Sequence, residues 1–276
     1  MVWAIETKYC FHHPDRETGR ACTRCGRPAC TECLHDAPVG SHCWECIKAA
    51  RPPTAQRVQR WNASAGPIVT KVLLGINVLV FLPTLNQSGF NQTGNDIASR
   101  LALFGPAVHS GEWYRLITSG FVHYGLLHVA SNMVLLYAMG TMLEPALGRV
   151  RFAALYFSAL LAGSFGVLVI SPLALTAGAS GAVFGLVGAA AIGLRQRGIS
   201  VWQSGLGVLL VINLVFTFAV PGISIGGHLG GLAGGAAAGA FMLRTPTTRR
   251  SVLEGILLCA GIAAISVIGA LWAAGR

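Results

Sequence analysis

Two residues able to carry out nucleophilic chemistry lie in apolar, glycine-rich stretches in the second half of the chain. Ser180 lies within the segment GASG, and His228 lies within the segment GGHLGG. A hydroxyl and an imidazole are costly at membrane depth, so polar groups in such stretches indicate a functional site. Because a serine becomes a nucleophile when an adjacent histidine takes its proton, the pair predicts covalent catalysis inside a bilayer.

A second polar set, His123, His128 and Asn132, lies at the beginning of another apolar stretch. His128 and Asn132 are four residues apart, so they project from one face of a helix, with His123 just above them. An imidazole and a carboxamide can donate hydrogen bonds to the oxyanion that forms when a hydroxyl attacks a carbonyl, and each donor contributes about 3 kcal/mol. The alternative is that these groups only form hydrogen bonds between helices and hold the bundle together.

The composition predicts that these residues lie on membrane-spanning helices. Of the 276 residues, 53% are hydrophobic and 11% are charged, whereas soluble domains carry about 25% charged residues. The net charge of +10 comes from short arginine clusters between apolar runs, not from one basic face, which argues against a nucleic-acid partner. Stretches near the roughly 20 residues that cross a bilayer predict seven spans, at 67–84, 125–143, 150–171, 179–194, 203–220, 225–243 and 252–273.

Arginine and lysine residues predict the orientation of these spans. Basic residues cluster before the first span and after the second, fourth and sixth, with few on the other side. By the positive-inside rule, the N-terminus is then cytoplasmic and the C-terminus lies outside. Ser180 and His228 begin the fourth and sixth spans near the outer leaflet. Glycines at four-residue spacing let those two helices approach closely, so the two side chains are expected to meet.

The first 50 residues predict a small metal-binding module. Seven of the eight cysteines lie between positions 10 and 46, in pairs with two-residue spacing. The pairs are Cys10 with His13, Cys22 with Cys25, Cys30 with Cys33, and Cys43 with Cys46. Eight ligands suffice for two tetrahedral zinc ions. A disulfide framework is the alternative, but seven cysteines cannot all pair, and the predicted cytoplasmic location is reducing.

Sequential and interleaved pairings of these ligands both satisfy the count, and His12, His35 and His42 are alternatives to His13 with less regular spacing. The order of the pairs resembles B-box and RING-like cross-braced fingers. That resemblance implies one site from Cys10, His13, Cys30 and Cys33, and another from Cys22, Cys25, Cys43 and Cys46. With every position filled by protein, the zinc would be structural, and the module would bind or regulate a partner that the residues do not identify.

The polar motifs of the membrane part resemble those of the rhomboid family of intramembrane serine proteases. The pattern from His123 through His128 to Asn132, the GASG segment and the Gly-His pair at 227–228 are similar to that family's motifs. Two further segments, EWYR at 112–115 and the Glu-x3-Gly-Arg turn that begins at Glu144, match as well. The resemblance covers residues 67–243.

The resemblance implies that Ser180 is the nucleophile and that His228 is the general base and then the general acid. His128, Asn132 and the backbone N–H of Ser180 would form the oxyanion hole, supported by His123 and Gly178. No aspartate is available in the spans, so the pair is a dyad. Phe184 replaces a tyrosine common in the family. An aromatic face is therefore retained for packing on the imidazole, with the orientation of His228 expected to be looser.

Together these observations predict an all-α polytopic membrane protein with a six-helix rhomboid core and a seventh C-terminal transmembrane helix, preceded by a small zinc-binding domain. The predicted boundaries are 1–50 for the zinc domain, 51–66 for a linker, 67–243 for the protease core and 244–276 for the additional helix. Zinc is the expected structural cofactor, and none is expected for catalysis. Expected partners are transmembrane protein substrates, cleaved near the outer leaflet, most simply at the plasma membrane. The alternative is a catalytically silent adaptor that binds membrane helices and recruits partners through the zinc finger.

Overall fold

The computed structural model describes residues 8–37, 39–50, 66–85, 96–244 and 248–276. The chain divides into two compact units, Met1–Arg57 and Val58–Arg276. The predicted linker at 51–66 lies outside the described residues except for Gly66.

The N-terminal unit consists of two short β-hairpins and one helix. Strand β1 (Lys8–Tyr9) pairs antiparallel with β2 (Glu17–Thr18), and β3 (Leu34–Asp36) pairs antiparallel with β4 (Ser41–Cys43), which leads into α1 (Trp44–Ala50). Among its described residues, the buried core contains only Ala29 and Leu34 besides cysteines, which are Cys10, Cys22, Cys30 and Cys43. So little buried hydrocarbon cannot stabilise a fold of this size alone, which favours stabilisation by bound metal.

The long elements of the second unit are all helices within the described residues. Three short helices follow the first long one, and six long helices follow them. The elements are α2 (Ile68–Leu85), α3 (Asp96–Leu101), α4 (Gly105–His109), α5 (Arg115–Thr118), α6 (Leu126–Leu147), α7 (Arg149–Ile170), α8 (Ser180–Gln196), α9 (Leu206–Ala219), α10 (Ile225–Met242) and α11 (Arg249–Ala274).

A described helix lies at each of the seven predicted spans, which confirms the all-α polytopic fold class. By length and composition, α6, α7 and α11 could each cross a membrane, and α2 and α9 are shorter apolar helices. Helices α8 and α10 have 17 and 18 residues and are rich in glycine.

Helix α8 is the central helix of this unit. It packs against α6, α7 and α10, and every residue from Gly181 to Ala190 is buried. A helix that is apolar all round is buried all round, which explains why this segment has no polar face. Ser180 is the first residue of α8. The nucleophile predicted from the sequence therefore lies at the N-terminal end of this buried helix.

The contact between α8 and α10 is made by glycine backbones, as their spacing predicts. A Cβ on Gly231 would clash with the carbonyl oxygen of Gly181, and a Cβ on Gly235 would clash with the backbone of Gly185. Small residues at this period let two membrane helices approach until their backbones touch.

Glu144 connects α6 to the beginning of α2. Its buried carboxylate accepts hydrogen bonds from the N–H of Val69 at 2.9 Å and from the N–H and hydroxyl of Thr70, both at 2.8 Å. A carboxylate at a helix N-terminus satisfies N–H groups that have no partner within the helix. Gly148, with φ of +79°, then makes the turn from α6 into α7, a backbone conformation suited to glycine.

Candidate active site and metal centres

The segment that precedes Ser180 is held by the loop between α2 and α6, which we call the outer loop after the orientation predicted from the sequence. The N–H of Gly178 donates to the carbonyl of Ser119 at 2.9 Å, and Leu103 and Thr176 exchange two backbone hydrogen bonds at 2.8 and 2.9 Å. These bonds fix the chain on its way into α8. The outer loop therefore positions the backbone that leads to Ser180.

Gly178 lies against the polar set of α6. Its φ is +130°, and a Cβ there would lie 2.7 Å from Nε2 of His128 and 3.8 Å from Nδ2 of Asn132. A larger residue would therefore be strained and would push the imidazole away. The structure thus brings His128 and Asn132 beside the backbone of Gly178, which lies two residues before Ser180.

A hydrogen bond indicates which ring nitrogen of His128 carries the proton. Its Nδ1 lies 3.4 Å from the N–H of Tyr124, a group that can only donate. The Nδ1 atom therefore accepts, so Nε2 carries the proton in the neutral ring and can donate toward the space beside Gly178. Asn132 uses one amide hydrogen on the carbonyl of His128 at 3.0 Å, which leaves a second hydrogen for a ligand.

His123 supports this backbone from a completely buried position. Its Nε2 accepts the N–H of Ala179 at 3.3 Å, and its ring packs edge-on against His128 with centroids 5.0 Å apart. His123 therefore holds both the residue before the serine and the neighbouring imidazole.

His228 lies in the first turn of α10 and is 7% exposed. The ring of Phe184 stacks on it, with centroids 3.9 Å apart and planes at 16°. Its Nδ1 lies 2.7 Å from the hydroxyl of Thr217 on α9. The sequence predicted the aromatic contact. It did not reveal Thr217, whose only signal is a hydroxyl within an otherwise largely apolar helix.

Ser180 and His228 lie on either side of the glycine contact. Gly181 follows Ser180, and Gly227 precedes His228. These two glycines are so close that a Cβ on Gly181 would lie 3.2 Å from the carbonyl oxygen of Gly227. Phe184 is four residues after Ser180, on the same face of α8, and it is Phe184 that touches the imidazole. Within the described residues, no hydrogen bond joins the Ser180 hydroxyl to His228. Such bonds are often long before substrate binds.

A family model of the rhomboid domain matches residues 110–245, which include all of these side chains. The chain carries a rhomboid domain. It is 34% identical over 171 residues to the rhomboid protease GluP of Bacillus subtilis (strain 168), covering 59% of this chain and 32% of the relative. It is 34% identical over 126 residues to the putative rhomboid protease YdcA of the same organism, covering 44% and 63%. It is 32% identical over 191 residues to RHOMBOID-like protein 5 of Arabidopsis thaliana, covering 65% and 55%. The chain therefore spans less than two thirds of each of these relatives.

The outer loop of the rhomboid domain is anchored by Arg115, which is 7% exposed. Its guanidinium donates to Glu112 at 2.6 Å and to the carbonyls of Ser99 and Ala102 at 2.7 and 2.6 Å. Hydrogen bonds from the Tyr114 hydroxyl and from Arg115 hold the pKa of Glu112 below its usual range. This cluster ties α5 to the stretch around α3, on the same loop that holds the backbone before Ser180.

In the N-terminal unit, the structure gathers the predicted metal ligands into two clusters whose donor atoms all lie within 4.8 Å of one another. They are Cys10, His13, Cys30 and Cys33, and Cys22, Cys25, Cys43 and Cys46, the sets of the interleaved arrangement. The alternative ligands lie outside both. His12 is 3.8 Å from Glu45, and His35 and His42 face each other across β3 and β4. No disulfide forms among the eight cysteines.

The donor separations fit a tetrahedral ion of the size of zinc. Zinc bonds of about 2.3 Å to sulfur and about 2.0 Å to nitrogen place two sulfurs about 3.8 Å apart, and a sulfur and a nitrogen about 3.5 Å apart. The Nδ1 of His13 lies 3.8, 3.5 and 3.3 Å from the sulfurs of Cys10, Cys30 and Cys33. The sulfurs of Cys25 and Cys43 are 3.8 Å apart. The two clusters can therefore hold metal ions.

Proposed function

We propose that this rhomboid protein is an intramembrane serine endopeptidase that cleaves transmembrane helices of other membrane proteins near the outer leaflet. The observation that carries the proposal is the meeting of three helices at the beginning of α8. Ser180 begins that helix, His128 and Asn132 of α6 lie beside Gly178, and His228 of α10 stacks on Phe184 one turn into α8. Nucleophile, base and oxyanion donors thus occur around one point.

In the proposed reaction, the Ser180 hydroxyl attacks the scissile carbonyl and its proton passes to Nε2 of His228. The oxyanion accepts hydrogen bonds from Nε2–H of His128, from the amide of Asn132 and from the N–H of Ser180. The last belongs to the first turn of α8 and needs no partner within the helix. The imidazolium then protonates the leaving amine as the C–N bond breaks. Water attacks the acyl-enzyme while His228 takes its proton, and the imidazolium returns that proton to the Ser180 oxygen as the acyl group leaves. Each oxyanion donor would contribute about 3 kcal/mol.

The substrate must expose a peptide bond at membrane depth. The amides of a spanning helix are hydrogen-bonded internally, so glycine or another helix-weakening residue near the outer end of the substrate helix should favour cleavage. The distribution of arginine supports the proposal that the N-terminal module is cytoplasmic and the C-terminus lies outside, with the plasma membrane as the simplest location.

Cleavage of a single-span test substrate in reconstituted vesicles, beside labelling by a fluorophosphonate, tests this function. Ser180→Ala should abolish both. The matched control is Ser158→Ala, which removes another membrane-embedded hydroxyl, one that donates to the carbonyl of Leu155 at 3.0 Å, and it should retain both. Cleavage that persists in Ser180→Ala would exclude Ser180 as the nucleophile. A wild-type chain that binds the substrate helix without cleaving it or reacting with the probe would be the silent adaptor instead.

We also propose that both cysteine clusters hold structural zinc. All four donors of each site come from the protein, which leaves no open position for a reacting water. Zinc would contribute folding free energy to this module on the order of 10 kcal/mol per site.

A further inference from the structure

The hydroxyl of Thr217 lies within hydrogen-bond distance of the imidazole of His228. Thr217 is 2% exposed. Among the described residues of α9 that follow Gly207, it is the only buried one. Its hydroxyl lies 2.7 Å from Nδ1 of His228 and 2.7 Å from the carbonyl oxygen of Asn213, one turn earlier in α9. The position where α9 meets the imidazole is therefore occupied by a polar side chain.

The two short distances determine which atom donates. A hydroxyl has one hydrogen to give, and the carbonyl of Asn213 can only accept, so the Thr217 hydrogen points to that carbonyl. The contact with His228 is then made by Nδ1–H, which donates to a lone pair of the Thr217 oxygen. The other ring nitrogen, Nε2, is left without a proton in the neutral imidazole.

The stacked Phe184 cannot make this choice. Turning the imidazole by 180° about its Cβ–Cγ bond exchanges Nδ1 with Cδ2 and Nε2 with Cε1, but it presents an equally flat face to the phenyl ring. Stacking therefore restrains the plane of the ring, whereas only a directional hydrogen bond distinguishes Nδ1 from Nε2. In serine proteases with three catalytic residues, a carboxylate fulfils this role by accepting from Nδ1–H and leaving Nε2 as the base.

We propose that Thr217 is a positioning residue that fixes His228 in the Nδ1–H tautomer through a chain running from Nδ1–H to the Thr217 hydroxyl and on to the carbonyl of Asn213. The inference rests on the proposed function, because it matters for catalysis only if Nε2 takes the proton of Ser180. The tautomer itself can be observed whether or not the chain hydrolyses a substrate.

The experiment compares Thr217→Val, which keeps the shape and loses the hydroxyl, with Thr217→Ser, which keeps the hydroxyl. Thr141→Val is the matched control, since the Thr141 hydroxyl donates to the carbonyl of Ala138 in α6 at 2.9 Å in the same intrahelical way. Thr217→Val should lower kcat about 10- to 100-fold with KM nearly unchanged, the scale seen when partners that orient metal-bound histidines are removed. Thr217→Ser should restore most of kcat, and Thr141→Val should leave it unchanged.

Nitrogen-15 NMR of the full chain with labelled histidines, in lipid nanodiscs, gives the second measurement. The His228 signal is assigned by its loss in His228→Ala. It should show the proton on Nδ1 in the wild type and in Thr217→Ser, and a shift of population toward Nε2–H in Thr217→Val.

The outcomes separate the two hypotheses. A wild-type His228 protonated on Nε2, or a Thr217→Val chain with unchanged tautomer and kcat, would overturn the role of Thr217 while leaving the protease proposal intact. Equal cleavage by the wild type and Ser180→Ala would instead overturn the protease proposal, and the NMR measurement would still decide the tautomer.

Discussion

Replacing Gly231 by alanine tests whether backbone contact between α8 and α10 sets the geometry of the proposed dyad of Ser180 and His228. The new Cβ would run into the carbonyl oxygen of Gly181, which belongs to the buried stretch of α8 and cannot turn aside as a side chain can. The helices must separate locally, and the sites of Ser180 and His228 are adjacent to that contact. Overpacking of this kind costs about 1 to 3 kcal/mol. Part of that cost is offset by the helix preference for alanine over glycine, about 1 kcal/mol.

The effect on catalysis should exceed the effect on stability. A displacement of about 1 Å between reacting groups can lower the rate about 100-fold, so Gly231→Ala should lose at least that factor in kcat. Gly181→Ala places its Cβ 3.2 Å from the carbonyl oxygen of Gly227, which a shift of a few tenths of an ångström relieves. That variant should lose much less activity. Gly261→Ala has nothing within 4 Å and should change neither property.

The assay measures cleavage of the single-span substrate and thermal unfolding of the three variants in the same detergent. The expected order of activity is Gly261→Ala, then Gly181→Ala, then Gly231→Ala. Full activity of Gly231→Ala, or equal losses in Gly231→Ala and Gly261→Ala, would refute the view that close backbone contact positions the dyad.

Two further predictions concern the outer loop and the metal clusters. Because the pKa of Glu112 is lowered in the folded loop, its contribution to loop order is present above the ordinary glutamate pKa of about 4.3 and is lost as pH falls through the lowered value. Hydrogen exchange of the amides near Arg115 should therefore speed up over that acidic window, and Glu112→Gln should remove the pH dependence; an unchanged profile in Glu112→Gln would contradict the assignment. For the clusters, elemental analysis of the purified chain should give two zinc ions, and Cys30→Ser should lose or weaken one. Cys259→Ser, in α11 outside both clusters, should keep two. Two ions retained in Cys30→Ser with undiminished resistance to chelators would exclude it as a ligand.

Much of the fold could be predicted from the sequence because lipid-compatible helices leave a strong compositional signal. The seven apolar stretches correspond to described helices whose ends differ from the predicted ones by a few residues. The polar residues of the candidate site could be found for the same reason. A histidine or asparagine is conspicuous in an apolar span, and His128 and Asn132 lie where their four-residue spacing places them.

The sequence could not predict contacts between distant segments, because the residues near each contact do not identify its partner. Glu144 caps a helix that begins about 75 residues earlier, and its own neighbours give no sign of that partner. The cysteine spacing permits sequential or interleaved clusters equally, because each pair supplies half of a tetrahedral site in either arrangement. Only the folding of the two hairpins brings the first pair to the third and the second to the fourth.

Thr217 was missed for a different physical reason. A threonine in a membrane helix can satisfy its hydroxyl on the carbonyl one turn earlier, so its presence in an apolar span needs no partner from another helix. That intrahelical bond is present here, and it is also what directs the lone pair of the hydroxyl outward to Nδ1 of His228. A carboxylate in the same place would bring a negative charge to membrane depth at much greater cost. A threonine bonded to its own helix instead offers a neutral acceptor of fixed direction. The proposed dyad, which has no aspartate, requires such an acceptor to keep His228 in one tautomer.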